Sequence, residues 1–600
     1  MRSYAARGIN VEPTVHMGKQ ATAMMRRGEV SEMQEAQDEA RARSAEILRI
    51  NPEKAIAVVE REKSVFDRRD VARVIHRFAC DPVLFTSILE RAMAHESVVR
   101  LAPEFRDPGT GKVFQEARNA TREMVRTEHE MVRLALTLSE RVGFASGEGT
   151  IATVLARFER ERGFALNAER QEAVRHVTDD KAIAAVVGLA GTGKSTMLEA
   201  ARQVFEAEGH RVLGAALAGK AAAELTKSSG IEARTLASWE ARWEKGRDEH
   251  KLRAGDVFVV DEAGMVSSRQ LARIVAKVEE AGAKLVLVGD PQQLQPIQAG
   301  AAFRAIVEKT DYLELADIRR QKEEWQRQAS VDLARGEIGK AIAAYQDHGL
   351  VESSKTIEQV YEKVVADWFA ERDPAKTAVV LAYRNKDVDA LNDAIREQRA
   401  ARGEIAEGQT FLSVQRRTKQ FDSIELMEKS IEEERELRFS AGDRVLLGKG
   451  WGELKNGLLG SVVNARPGEI DVKLDGGEAV SIKAESYPYV SHGYAMTIHK
   501  AQGVTADRSY VVASPVDDRH LAYVAMSRHR DEAKLHYAIE DFKELSLVEG
   551  LSRSRAKEAT TDHEVDIDAF LERREGDGPA APSGAVVQRA WRTDRATRSS

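Results

Sequence analysis

Residues 188–195 read GLAGTGKS, and the Gly188-x4-Gly193-Lys194-Ser195 spacing lets the backbone turn its N–H groups inward around an anion. The apolar run AIAAVV precedes it and the helical pattern TMLEAARQVFEAEG follows, so a helix N-terminus adds its positive dipole end to the same cradle. Such a loop binds the phosphates of a nucleoside triphosphate. Its candidate contacts are Gly188, Gly191, Thr192, Gly193, Lys194, Ser195 and Thr196, with Lys194 reaching the β- and γ-phosphates and the Ser195 hydroxyl ligating Mg2+. A second run, VFVVDE at 257–262, ends in two carboxylates. Asp261 at the strand mouth is the candidate partner of Ser195 for Mg2+, and Glu262 the group that orients and deprotonates an attacking water. A third run, KLVLVGD, leads into PQQL and sets Asp290 and Gln293 beside the γ-phosphate, where Gln293 senses its loss by hydrogen bonding. A plain strand-end turn competes with the catalytic reading of Asp-Glu alone. Its spacing from the phosphate loop favours catalysis.

The elements that must hold these residues are short apolar runs alternating with helical segments between 165 and 540: AIAAVVGLAG, RVLGAAL, DVFVVDEAG, KLVLVGD and KTAVVLAY. Each ends in a turn or polar residue, the pattern of parallel strands buried on both faces and joined by crossover helices. The fold class is therefore α/β. Residues 1–160 are mostly helical, with apolar residues at helical spacing in VARVIHRFACDPVLFTSILERAM. The stretch 441–485 carries short strands with Gly/Pro turns and predicts a small β-barrel insertion, while 424–438 is charge-dense and predicts a solvated helix leading into it. From about residue 576 the chain is rich in Gly, Ala, Pro, Ser and Arg, a composition expected to be disordered.

Composition narrows the class. The chain has 600 residues, beyond the size at which one core keeps growing, so several domains are expected. No apolar stretch approaches the ~20 residues needed to cross a bilayer, and the N-terminus lacks a signal-peptide core, so membrane insertion is not expected. A single cysteine, Cys80, excludes an intramolecular disulfide framework and a cysteine-based zinc site. A reduced, cytoplasmic setting is the simplest expectation. The net charge of −7 argues against an all-over basic surface but leaves room for one local groove along a nucleic-acid backbone.

Taken together, Gly188–Ser195, DEAGM, GDPQQL, IRRQ at 318–321, YAMTIHKAQGVTAD at 494–507 and YVAMSRHR at 523–530 resemble the motif series of RecD-like superfamily 1 DNA helicases. The wording ALAGKAAAEL, ARTLASWEARW, FSAGDRV, LKNGLLGSV and LSRSRAKEATTD is similar to the helicase half of the Ti-type conjugal-transfer relaxases, the MobA/MobL relaxase–helicase group, over roughly residues 1–575. That resemblance implies two RecA-like motor domains, at 161–312 and at 313–440 with 486–548, interrupted by an SH3-like barrel at 441–485. It places a helical remnant at 1–50, a helical accessory domain at 51–160 and an extension at 549–600. It assigns Gln171 to adenine, and Arg320 and Arg528 to closing over the γ-phosphate from the second motor domain. Lys220, Thr235, Trp239, Thr497, His499, Lys500 and Gln502 match strand-gripping motifs, with Trp239 weighed against a packing role. The implied activity is ATP- and Mg2+-dependent 5′→3′ translocation or unwinding of DNA in conjugative transfer, with single-stranded or duplex DNA, a separate relaxase and the type IV secretion machinery as partners.

Two departures accompany the resemblance. ALAGKAA lacks the Pro-Thr that broader RecD-like helicases carry before Gly-Lys, which removes one expected DNA hydroxyl contact. Full-length relaxases of the group begin with a nicking domain bearing a histidine cluster and a catalytic tyrosine. Here His16 is the only histidine in the first 70 residues and Tyr4 stands alone, so strand nicking is not expected. Two alternatives stand beside the conjugation reading: a RecD-type repair helicase, and a degenerate DNA-binding scaffold, which predicts damaged motifs.

Overall fold

The protein is described from a computed structural model covering residues 32–563, apart from 247–250, 295, 297, 374, 424–425, 451–455 and 544. Tyr4, His16, and the segment expected to be disordered from about 576 lie outside the described residues.

The N-terminal module follows from its caps. Asp67 and Asp70 form a reciprocal capping box that starts the helix Arg68–His76, and Asp81 with Pro82 in the first turn starts Pro82–Met93. The helices Glu32–Ile50 and Glu53–Glu60 precede them. Two antiparallel pairs follow: β1 (Val98–Ala102) and β4 (Arg118–Thr121) enclose a smaller hairpin of β2 (Phe105–Arg106) and β3 (Val113–Gln115). Phe66 bridges antiparallel to Asn119 and adds a third strand position. Ile56, Phe66, Ile75, Phe85 and Leu89 form one buried cluster. The module is therefore mixed α/β, not purely helical. From β4 the chain runs into the helix Arg122–Glu140, capped by Thr121, which packs along Ser268–Ala281.

The first motor sheet is wholly parallel. It holds β5 (Ile183–Gly188), β6 (Val212–Ala216), β7 (Glu232–Thr235), β8 (Val257–Val260), β9 (Lys284–Gly289) and β10 (Tyr312–Leu315), in the order β10-β5-β9-β8-β6-β7. Strands β5, β6, β8 and β9 are buried along their whole length, which is why they read as continuous apolar runs. β5 lies between β9 and β10, so the loop at its C-terminal end opens beside theirs. Residues 313–315, expected in the second motor domain, complete this first sheet.

The second sheet begins with β11 (Val351–Ser354) and β12 (Ala378–Ala382). The chain then leaves through a long hairpin of β13 (Gln409–Ser423) and β14 (Leu426–Phe439). Next comes an antiparallel sheet of β15 (Arg444–Leu447), β16 (Leu459–Arg466), β17 (Glu469–Leu474), β18 (Ala479–Lys483) and β19 (Val490–His492), in the order β18-β17-β16-β15-β19. It returns as β20 (Ala495–Thr497), β21 (Ala506–Ala513) and β22 (His529–Ala538), giving a parallel sheet ordered β11-β22-β21-β12-β20. Of the helix expected over 424–438, residues 424–425 lie outside the described residues and the rest is β14. Its long-range pairing with the β-branched and aromatic run TFLSV in β13 outweighs a local charge-rich composition. The insertion is wider than 441–485, since Phe411 and Phe439 join Val445, Ile470 and Val472 in one core. No pairing closes β18 onto β19 among the described residues, so the expected SH3-like barrel is an open sheet covered by the hairpin.

After the helix Leu547–Leu551 the chain crosses back to the first motor domain. Lys557 Nζ donates to the carbonyls of Glu62 (2.6 Å) and Gln298 (2.8 Å), and Ala559 enters the first motor core. Thr560 donates its N–H (2.5 Å) and hydroxyl (2.7 Å) to one oxygen of buried Glu128. The other Glu128 oxygen accepts from Ser64 (2.7 Å) and Ser268 (2.5 Å). One carboxylate thus joins the N-terminal module, the first motor domain and the C-terminal strap, its burial offset by four donors.

Candidate nucleotide site and strand-contact residues

The phosphate loop sits where the sequence places it, between β5 and the helix Lys194–Ala207. Gly191 (φ 86°) and Gly193 (φ 82°) occupy the left-handed region. A Cβ at Gly191 would lie 2.6 Å from Arg320 Cβ, so the close approach of Arg320 requires glycine there. Lys194 Nζ donates to the loop's own carbonyls of Gly188 (2.6 Å) and Leu189 (3.1 Å). Burial lowers its pKa, against the pull of Asp290 and Asp261. The Thr192 hydroxyl donates to Leu189 O at 2.9 Å, stiffening the turn.

At the end of β8 the two carboxylates share a desolvated pocket. Burial raises the Asp261 pKa while Lys194 opposes it. Glu262 is pushed up to about 7, first by burial and then by repulsion from Asp261. Among the described residues Glu262 is the one non-glycine with positive φ (54°), a backbone cost of order 1–3 kcal/mol borne where the chemistry is expected. Gln293 Nε2 donates to Asp290 Oδ2 at 3.0 Å, so the two candidate sensor residues form one unit.

Arg320 and Arg528 meet at this cleft. Arg320 follows β10 and donates to Ser527 O at 2.7 Å, while Arg319 N–H donates to Gly191 O at 2.9 Å. Arg320 therefore comes from the segment linking the motor domains, not from within the second. Burial and the neighbouring Arg528 charge bring its pKa down to about 9. Arg528 is 2% exposed, donates to Val524 O at 2.9 Å, and feels the charges of Glu262 and Asp290.

Two residues at the loop escaped the sequence reading. Tyr523, on the helix Arg519–Met526 of the second domain, accepts from Ala190 N–H at 2.8 Å and donates to Asp290 Oδ2 at 2.9 Å. It ties the second domain to the phosphate loop and to the sensor pair together. It lies within YVAMSRHR, where the arginine drew the attention. Arg170, beside Gln171, donates to Thr192 O at 2.9 Å and lies over Gly193. Gln171 itself donates to Leu166 O (3.0 Å) and Glu159 (3.3 Å), beside the loop.

The strand-contact candidates divide. Thr497, His499, Lys500 and Gln502 follow β20. His499 and Lys500 are exposed, and Gln502 Oε1 is buried without a hydrogen-bond partner. The Thr497 oxygen accepts from Lys500 N–H at 3.3 Å and shapes that turn. Lys220, after β6, reaches across to Gly457 O of the insertion at 3.1 Å. Thr235 spends its oxygen as the cap of Leu236–Glu244. Trp239 corrects the expectation of base stacking. It is 2% exposed, donates Nε1–H to Gly214 O at 2.8 Å, and packs on Trp243 and Phe258. An apolar strand, β6, and a neighbouring aromatic claimed it for the core.

Two parallel sheets meeting at a P-loop, with arginines converging on an Asp-Glu pair, define a two-domain RecA-like P-loop NTPase. A family model described as an AAA domain matches residues 165–356. The chain is 43% identical to the conjugal transfer protein TraA of Rhizobium radiobacter over 575 residues, covering 94% of this chain and 50% of that protein. It is 26% identical to the ATP-dependent RecD2 DNA helicase of Deinococcus radiodurans, covering 60% of this chain and 48% of that one. Among solved structures, the Pif1 helicase from Candida albicans aligns with a TM-score of 0.44 at 18% identity, over 65% of this chain and 98% of that chain. The chain is similar to these conjugal-transfer proteins over nearly its whole length and spans about half the length of the curated relatives it matches.

Proposed function

We propose that the chain is an ATP-driven DNA helicase or translocase of conjugative plasmid transfer, moving 5′→3′. The observation that carries this reading is the convergence of Lys194, Asp261, Glu262, the Asp290–Gln293 pair, Arg320 and Arg528 on one cleft between two parallel-sheet domains. The intact set argues against a degenerate scaffold. Lys194 and the loop N–H groups would hold the phosphates, and Ser195 and Asp261 would hold Mg2+. The donor set fits the ion, since among the described residues Asp261 has a hydrogen-bond partner on Oδ1 alone, the Glu262 N–H at 2.9 Å. Bound there, the ion would supply charge neutralisation on the transferring phosphoryl group.

Glu262, with a pKa near neutrality, is suited to take a proton from the attacking water. Arg320 and Arg528 stabilise the charge that develops in the transition state. Because Arg528 and Tyr523 belong to the second domain, hydrolysis depends on closure, and closure moves the turn after β20 relative to Lys220. Thr497, His499, Lys500, Gln502 and Lys220 are the proposed grip on the strand, with Thr235 shaping its edge. The TraA likeness supports a relaxase and the type IV transfer machinery as partners and DNA as the track; cytoplasmic placement belongs to the same proposal.

The test is single-stranded-DNA-stimulated ATP hydrolysis by wild type and Lys194→Ala. Stimulated turnover that falls by roughly 100-fold or more in the variant is expected. Absence of stimulation, or turnover unchanged by the substitution, overturns the reading. Strand displacement on 5′-tailed against 3′-tailed duplexes tests the direction.

A further inference from the structure

The N-terminal module has a function of its own to explain. Its order is helix 53–60, a strand position at Phe66, helix 68–76, helix 82–93, β1, an excursion, and β4. β4 is the central strand, pairing with β1 on one side and bridging to Phe66 on the other. Three helices on a three-stranded sheet with a hairpin thrown out between the last two strands is the winged-helix arrangement. Helices 68–76 and 82–93 form its helix-turn-helix, and residues 103–117 form the wing.

The second helix of the pair is poorly suited to a DNA groove. Its exposed face offers Val83, Thr86 and Ser87, while Glu90 is bonded to Arg68 and Arg91 donates to the Arg49 and Ile50 carbonyls, so its charged groups are already engaged. The wing is different. Phe105 is 39% exposed and Phe114 is 69% exposed, yet their rings lie 6.2 Å apart and within 21° of parallel. Neither ring serves the module's core. Lys112 on the wing and Arg100 at its root are exposed and have no ion partner among the described residues. The acids beside Phe105 are engaged locally, Glu104 by Arg106 and Asp107 by the N–H groups of Gly109 and Thr110. Near-parallel exposed rings with two unpaired cations on the same excursion are the elements of a base-stacking platform: the rings take bases of any sequence and the cations take the backbone.

We propose that the wing binds unpaired DNA, with Phe105 and Phe114 stacking on bases and Lys112 and Arg100 holding the adjoining phosphates. The helix Arg122–Glu140 and the Glu128 junction fix the module to the first motor domain, so the wing forms a second hold that does not follow the opening and closing of the second domain. Stacking on ring faces tolerates any base, so the contact is expected to be sequence-independent. A protein occupant of the same rings is the competing outcome.

This site is distinct from the strand grip of the motor, although its role presupposes the DNA-dependent activity proposed above. The test uses the whole chain and fluorescein-labelled oligothymidine, read by anisotropy, beside ATP turnover with and without DNA. Phe105→Ala/Phe114→Ala is expected to weaken DNA binding by at least roughly 5- to 150-fold, the range corresponding to the first of the two stacks removed. DNA-independent turnover should stay at the wild-type level, because both rings are exposed and belong to none of the motor cores. Phe105→Tyr/Phe114→Trp, which keeps both ring faces, should restore affinity, and Lys112→Ala should flatten its salt dependence. Unchanged affinity in the double alanine variant overturns the proposal and leaves the rings to a protein partner. Loss that the aromatic replacements fail to restore overturns it as well. Wild-type turnover without DNA stimulation would instead count against the motor reading, so the two failures are separable.

Discussion

Replacing Glu262 by Gln should make the folded protein more stable while abolishing hydrolysis, and the stability gain should depend on pH. The fold raises the Glu262 carboxyl from 4.5 to about 7, through burial first and Asp261 second. Because the folded state binds this proton more tightly than the unfolded chain, ionising the group works against folding. The penalty is absent below about pH 4.5, grows between there and pH 7, and is complete above it, reaching about 3 kcal/mol at the 1.36 kcal/mol that each pKa unit represents. Glutamine keeps the length and the positive-φ backbone but carries no charge. Thermal or denaturant midpoints of wild type and Glu262→Gln, compared at pH 5 and pH 8, are therefore expected to separate widely at pH 8 and by only about a quarter as much at pH 5. In parallel, the acid limb of wild-type kcat/KM for ATP should have a midpoint near 7. Equal midpoints at pH 8, or an equal difference at both pH values, would refute the assignment of Glu262 as a strained, desolvated base.

Tyr523→Phe removes the acceptor for Ala190 N–H and the donor to Asp290, leaving a buried donor unpaired at a cost of about 1–3 kcal/mol. DNA-stimulated turnover should fall roughly tenfold, the rate equivalent of about 1.4 kcal/mol, with a smaller loss in DNA-independent turnover. An equal loss in both would make the tyrosine merely structural. Trp239→Phe should lower the unfolding midpoint, through the orphaned Gly214 carbonyl and lost packing, by about 1–3 kcal/mol and leave single-stranded-DNA affinity unchanged; weakened binding at an unchanged midpoint would return Trp239 to the strand.

The nucleotide site was legible because its chemistry is local. A glycine loop between an apolar run and a helix, and a carboxylate pair ending another run, declare themselves within a few residues. The buried strands were legible for a related reason, since a strand covered on both faces must be apolar throughout. What escaped depends on partners distant in sequence. β14 looks helical until β13 is known to lie beside it. Trp239 looks like a stacking residue until β6 and Phe258 surround it. Tyr523 contacts a loop more than 300 positions earlier, and only the folded chain brings them together. The short β1–β4 framework, broken by an exposed hairpin, carries too little alternation to be separated from its helical surroundings.

The junction at Glu128 also sets a limit on travel. The second motor domain is joined to the first twice: by the segment carrying Arg320, and by the chain from Ser552 to Ala559, whose far end is pinned by Thr560. Within that stretch Arg519 N–H holds the Arg553 carbonyl and Lys557 is held by Glu62 and Gln298, so the backbone between these anchors, Arg553 to Lys557, spans at most about 14 Å when fully extended. A domain held by a hinge on one side and a leash of fixed length on the other executes a bounded stroke. The opening between the two domains is then bounded by a stretch of chain outside the phosphate loop, and lengthening that stretch is expected to widen it.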